Sequence, residues 1–223
     1  FNAETGVELF SYIPGLISDK LADMASPFYS HKFYVDGDVA VSTKAQTSGK
    51  NILIGSPGRG AKGLFGLNVT TPASFNASAN PSVPGSGDIL WELAPDDDLG
   101  FVLGRPQIGI ANNNVAVALV GNGYNSTNES SVLYVINLLT GEVIRKIDTG
   151  ATGSNGLATP TLVDTNGDGK FDYVYAGDHL GNVWKFDFRS ASPAAWGLSS
   201  ASPIFVARDA ANNRQPITAK ILV

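Results

Sequence analysis

Apolar residues along this chain fall in short runs separated by turns rich in glycine, asparagine and proline. Short runs bounded by turn residues predict β-strands. Four segments resemble one another: VELFSYIPG (7–15), KGLFGLNVTTP (62–72), SVLYVINLLTGEVIRKI (131–147) and GNVWKFDFRS (181–190). Each has an apolar–aromatic–x–apolar core that ends in a polar or proline turn. Aligned on Phe10, Phe65, Tyr134 and Trp184, the segments are 55, 69 and 50 residues apart. The third predicts a hairpin in which Asn137 to Gly141 supply the turn and EVIRKI returns. The second returns as DILWEL (88–93), after a Pro/Ser/Asn-rich insertion from Ala73 to Gly87. A further strand precedes the later cores, in NILIGS (51–56), VAVALVGN (115–122) and DYVYAGD (172–178), and each of these ends in glycine plus a polar residue.

Strand, glycine loop, aromatic strand, turn and return strand make the layout of one β-propeller blade, with a period lengthened by insertions. The fold class expected is therefore all-β: antiparallel blades over residues 1–223, about three to four units. A generic antiparallel sandwich is the alternative. Propellers close with at least about four blades. Three clear units and part of a fourth therefore point to a section of a longer propeller, because an unclosed array leaves bare sheet edges. One short helix is expected at LISDKLADM (16–24), capped by Ser18, with Leu16, Ile17, Leu21 and Met24 facing a core.

Composition narrows the function classes. The 223 residues hold 43% apolar and 16% charged side chains, enough for a full core. The net charge of −5 gives no basic footprint for nucleic acid or an anionic membrane. No apolar run approaches the length of a membrane span, and Phe1 opens no leader-like pattern, so the start reads as a mature or excised end. The absence of cysteine leans toward a bacterial or cytosolic protein. The sequons at Asn68, Asn76, Asn125 and Asn128 are of the kind that chance supplies in an Asn/Ser-rich chain.

The chemistry-bearing stretch is VDTNGDGKFD (163–172). Counted from Asp164, side-chain oxygens fall at position 1 (Asp164), 3 (Asn166), 5 (Asp168) and 9 (Asp172), with Gly169 at 6 and Lys170 at 7. This is the spacing of an EF-hand-type calcium loop: alternate residues point inward, glycine permits the bend and the carbonyl at 7 becomes a ligand. Tyr175 stands where the full motif has a bidentate glutamate, so a shortened loop completed by water or another carboxylate is expected, with weak affinity. The competing reading is an Asn-Gly/Asp-Gly turn that needs no ion. Asp178 is read as closing the turn AGDHLGN.

Other signals are weaker. GSPGRGAKG (55–63) breaks the phosphate-loop order and reads as a loop between strands. His31 and His179 are too far apart in sequence to suggest a histidine cluster. No nucleophile elbow occurs. The three aspartates of APDDDLG (94–100) read as a solvated loop ahead of a cation site. Phe65, Tyr134 and Trp184 read as blade core.

The stretches SHKFYVDGDVAV, DDDLGFVLGRPQI, VGNGYNS, LYVINLLTGEVIRKIDTG, NGLATPTLVDTNGDGKFDYVYAGDHLGNVWKFD and RQPITAKILV resemble the C-terminal propeller of the type IV pilus tip-associated adhesins, the PilY/PilC family, over about Gly6 to Val223. That resemblance implies a quinoprotein-dehydrogenase-like β-propeller with one calcium loop, whose ligands would be Asp164, Asn166, Asp168, the Lys170 carbonyl and Asp172. It implies a secreted, non-enzymatic protein at the pilus tip or outer membrane of a Gram-negative bacterium. Its partners would be pilus proteins such as minor pilins, and host-cell or abiotic surfaces. Calcium occupancy would be linked to pilus extension against retraction, and so to twitching motility and adhesion. The asparagine at loop position 3, where the family often has aspartate, removes one charge. Two other classes compete: a quinoprotein-type dehydrogenase, and an integrin-like FG-GAP propeller, in which several such loops would be expected.

Overall fold

The computed structural model describes residues 1–77 and 87–223, so most of the insertion expected between 73 and 87 lies outside the described residues. Three antiparallel sheets follow one another along the chain. The first contains β1 (Val39–Val41), β2 (Ile52–Gly55), β3 (Leu64–Asn68) and β4 (Ile89–Leu93). The second contains β5 (Gln107–Ile110), β6 (Ala116–Gly121), β7 (Ser130–Asn137) and β8 (Val143–Thr152). The third contains β9 (Thr161–Val163), β10 (Tyr173–Gly177), β11 (Asn182–Asp187) and β12 (Gly197–Leu198), with β13 (Phe205–Val206) pairing β11 further along. Strand order is sequential in every sheet, and the leading strand β5 packs between β1 and β9. These are the blades of a propeller section; the array does not close on itself.

The middle sheet shows why alternation was hard to see in its sequence. Its β6 sends Ala118 and Val120 into a core shared with the first sheet, and Val117 and Leu119 into a core shared with the third. Its β7 divides Val132, Tyr134 and Ile136 from Leu133 and Val135 in the same way. A strand buried on both faces reads as one continuous apolar run. Phe65, Tyr134 and Trp184 are all buried, as blade-core residues should be. The β7–β8 hairpin turns as expected: the Asn137 side chain accepts the N–H groups of Leu139 and Thr140 at 3.0 and 3.2 Å, and Gly141 takes the left-handed conformation (φ +74°).

The first expected unit does not exist as a blade. Residues 7–14 form no strand, and Gly15–Ala25 is a 3-10 helix preceded by Pro14, with no side-chain cap from Ser18. At three residues per turn, positions seven apart lie about 120° from each other, whereas an α-helix would nearly align them. Ile17 is accordingly buried while Met24 is 59% exposed. Phe10 is not in register with the blade aromatics; it stacks on Phe75 at 4.1 Å. The segment serves as a cover for the first sheet: the Tyr12 ring packs 5.3 Å from Phe65, and Glu92 accepts the Tyr12 hydroxyl and the Gly15 N–H.

Adjacent sheets are fastened by one repeated turn position. The second strand of each sheet ends in glycine followed by a buried polar residue: Gly55-Ser56, Gly121-Asn122 and Gly177-Asp178. The Ser56 hydroxyl donates to the Val102 carbonyl at 2.7 Å, and the Asn122 side-chain oxygen accepts the Leu157 N–H at 2.8 Å. The Asp178 carbonyl in turn accepts the Ile217 N–H at 3.0 Å. Each turn therefore holds the segment that leads into the following inner position.

Candidate metal site

The Asp164-to-Asp172 loop joins β9 to β10, at the end of the third sheet away from the Gly177-Asp178 turn. Its shape comes from Asx-type side chains bonding to main chain a few residues on. Asp164 Oδ1 accepts the Gly167 N–H at 2.7 Å and the Asn166 N–H at 3.2 Å, and its Oδ2 accepts the Gly169 N–H at 2.8 Å. Asn166 Oδ1 accepts the Asp168 N–H and Asp168 Oδ1 accepts the Lys170 N–H, both at 2.9 Å. Gly167 (φ +78°) and Gly169 (φ +83°) supply the left-handed bends. The N–H of Gly169 first, then that of Gly167, holds the Asp164 carboxyl below the usual carboxylate range.

Asp172 differs from the others. It is 4% exposed, while Asp164, Asn166 and Asp168 lie at the surface. Its Oδ2 accepts both the hydroxyl and the N–H of Thr165, bonds that lower its pKa. The loop is also tied to the middle sheet. The Phe171 N–H donates to the Ile110 carbonyl at 3.2 Å, Ile110 bridges Lys170, and Asn112 Nδ2 donates to the carbonyls of Phe171 and Phe188 at 3.1 Å. Asn112 and Thr165 were not singled out in the sequence. The polar run Asn112-Asn113-Asn114 marks a turn, but nothing local says what it faces.

The five groups are gathered on one loop, and their donor chemistry is all oxygen, which suits a hard cation such as Ca²⁺. Among the described residues, no three acidic, histidine or cysteine side chains converge as a set that encloses an ion. The carboxylates of Asp164 and Asp168 fold onto their own loop's N–H groups, and that of Asp172 turns to Thr165.

Asp178 closes its turn as expected. Fully buried, it accepts from the main chain of Leu180 and Asn182 and from the side chains of Asn155, Asn182 and Trp184. The 94–100 loop is more than solvated acid. Asp96 accepts the Tyr134 hydroxyl at 2.5 Å, and Lys146 reaches Asp96 at 3.1 Å and Asp98 at 2.5 Å, so the cation those aspartates hold is an ammonium. The glycine-rich 55–63 stretch is the loop between β2 and β3. No helix of the described residues is long and apolar enough to cross a membrane.

Comparison with known proteins agrees with this architecture. The family model described as the PilY1 beta-propeller domain matches residues 7–219. A "Type IV pilus biogenesis factor PilY1 homolog" of Xylella fastidiosa is 39% identical over 96% of this chain, and the chain spans 15% of that protein. "Type IV pilus biogenesis factor PilY1" of Pseudomonas aeruginosa PAO1 is 38% identical over 96% of this chain, which spans 20% of its length. The crystal structure of the Pseudomonas aeruginosa PilY1 C-terminal domain superposes with a TM-score of 0.76 at 34% identity, covering 96% of this chain and 45% of the other. Three sheets in propeller order and a match over nearly the whole chain lead to one conclusion: this chain belongs to the PilY1 β-propeller domain family.

Proposed function

We propose that this chain is a calcium-binding, non-enzymatic propeller section of a type IV pilus tip-associated adhesin. It supports pilus extension and retraction, and through them twitching motility and surface adhesion. Two of its relatives are named as pilus biogenesis factors, which supports the pilus role and a place at the cell surface among pilus components. The observation that carries the calcium reading is the 164–172 loop: oxygens at alternate positions, glycine at the bends, and main-chain and Asn112 bonds to the neighbouring sheet. Asp164, Asn166, Asp168, the Lys170 carbonyl and Asp172 would hold the ion. When bound, the ion supplies positive charge that offsets the mutual repulsion of three carboxylates. Asp164 and Asp168 set the loop's path through their N–H bonds, Thr165 anchors Asp172, and Asn112 passes the order of Phe171 to the middle sheet. At a calcium concentration one hundred times the Kd, ligation adds about 2.7 kcal/mol to stability.

Calorimetric calcium titration of the native chain against Asp168→Ala tests the reading. Asp168 is exposed and, among the described residues, accepts only the Lys170 N–H, so the variant separates ligation from folding better than a change at buried Asp172. The native chain should bind one ion and melt higher with calcium; the variant should fold and lose both effects. Identical melting of the native chain in calcium and in chelator would end the calcium reading. Normal twitching of a strain carrying Asp168→Ala, with calcium binding lost in vitro, would sever the ion from motility.

A further inference from the structure

At the opposite end of the sheets from the 164–172 loop, the turns after β2 and β6 and the segment before β5 line a cleft open to solvent. A chamber of about 420 Å³ is lined by Arg59, Phe101, Leu103, Tyr124 and Asn125. It adjoins a smaller one of about 90 Å³ that shares Leu103 and Tyr124 and adds Arg105 and His179. The larger chamber lies within the size range of small-molecule sites, roughly 300–1,000 Å³.

The cleft is cationic in a chain whose net charge is −5. Among the described residues, neither Arg59 nor Arg105 makes an ion pair or a side-chain hydrogen bond; the Arg59 guanidinium lies 5.0 Å from the Phe33 ring centre. Lys62 sits 5.5 Å from the Phe101 ring centre and donates to the Asn125 carbonyl. No carboxylate lines either chamber. Two carboxylates on adjoining segments are engaged: Asp36 accepts the Arg59 main-chain N–H at 2.7 Å, and Asp178, next to His179 in the chain, is buried among its own donors.

The cleft also offers flat apolar faces. Tyr124 stacks on His179 at 4.0 Å, and Phe101 bridges Tyr124 through the main chain. Nε2 of His179 is buried without a hydrogen-bond partner. Buried polar atoms are nearly always satisfied, so one left over beside a cavity marks a place for a ligand group or a water. Guanidinium groups with no protein anion near rings suit a flat molecule carrying a carboxylate, through charge-assisted hydrogen bonds and stacking.

We propose that this cleft is a binding site for a small planar carboxylate, with Arg59 and Arg105 holding the anion and Phe101, Tyr124 and His179 packing against the ring.

The two histidines give separate readouts: His179 lines the cleft, whereas His31 lines neither chamber and packs on Phe33, the ring that Arg59 also approaches. The test is a proton NMR titration of the native chain with 2-naphthoate, following the imidazole resonances of both, with 2-naphthalenemethanol and inorganic phosphate as separate probes. The proposal expects a saturable shift at His179 that exceeds any at His31, a response to naphthoate at least tenfold tighter than to the neutral alcohol or to phosphate, and a loss of about tenfold or more in Arg59→Gln and again in Arg105→Gln. Both arginines are exposed, so these variants fold. No saturable shift at His179, equal shifts at both histidines, or unchanged affinity in both variants would overturn it. So would a glutamate-rich peptide that shifts His179 where naphthoate does not, because the cleft would then be a protein-docking site. The outcome is independent of the calcium loop, so either proposal can fail alone.

Discussion

Replacing Gly121 with alanine tests the fastening between the second and third sheets. A Cβ built at this position would lie 2.2 Å from the Ala158 carbonyl oxygen and 2.4 Å from that of Leu157. Ordinary contact needs about 3.5 Å, so the lead-in to β9 must retreat by roughly 1 Å. Both obstacles are backbone and cannot rotate away. Retreat strains the Leu157 N–H bond to Asn122 (2.8 Å), the Gly123 N–H bond to the Leu157 carbonyl (3.2 Å) and the Ala158 N–H bond to the Gly177 carbonyl (2.9 Å). Overpacking costs about 1–3 kcal/mol and a weakened buried hydrogen bond about 1 kcal/mol, so the expected loss is about 2–4 kcal/mol. For a chain of this size that lowers Tm by roughly 10 °C. Urea denaturation followed by tryptophan fluorescence reads it, with Gly197→Ala as the control because nothing lies within 4 Å of a Cβ there. A Gly121→Ala unfolding free energy within about 0.5 kcal/mol of the control's, the spread typical of neutral surface changes, would refute the close approach.

Further outcomes follow from the polar contacts. Asp178→Asn should cost about 3 kcal/mol, because an amide nitrogen would then face the side-chain N–H groups of Asn155, Asn182 and Trp184; thermal melting as high as native would show that this acceptor cluster is not needed. Lys146→Met should cost about 0.5–1 kcal/mol at neutral pH, a surface-pair value given the exposure of both partners. Asp98 is held below the usual carboxylate range chiefly by its bond from Lys146, and Asp96 by bonds from Tyr134 and Lys146 that outweigh desolvation. Depressed carboxylates add stability above the unfolded value of 3.8, and that stability is lost as pH falls through the lower folded values. The Lys146→Met deficit should therefore vanish in acid, and a deficit that persists at pH 2 would contradict the pairing. Calcium should raise hydrogen-exchange protection at 110–114 and 165–172 while leaving β1 and β2 unchanged; uniform protection would speak against a local fastening.

The second and third strands of each sheet were legible because they form apolar runs that end in glycine or carry an aromatic at a fixed place, as Phe65, Tyr134 and Trp184 do; the two-residue outer strand β12 was not. The inner strands β1, β5 and β9 were not. They are three or four residues long, and residues such as Val39 and Val41 stay exposed, so no alternation stands out. The 7–15 segment misled because VELF has strand-like chemistry, yet Pro14 and the pull of Glu92 on Gly15 and Tyr12 turn it into a cover for the first sheet. The alternating oxygens of the 164–172 loop are local and could be read directly. What holds that loop was not: Thr165 gives no sign in the sequence of bonding Asp172, and Asn112 acts from another sheet, 59 residues from the carbonyl it binds. The cleft residues are more scattered still. Arg59, Arg105, Tyr124 and His179 carry no common motif and meet only because equivalent loops of successive sheets lie side by side.

The same repetition explains how two ends of one seam can serve different purposes. Between the second and third sheets, one end is fastened permanently by Asn122 and the Leu157 main chain, with fixed protein donors and acceptors. The other end is fastened by Ile110, Asn112 and a surface loop whose carboxylates repel one another. Loop entropy and like-charge repulsion oppose order at that second end, whereas the first is held by neutral hydrogen bonds. An ion bound there, as proposed above, would change the rigidity of one seam and leave the cleft end built. On that proposal the position of the loop, more than its ligand set, would suit it to adjust how two blades are held together.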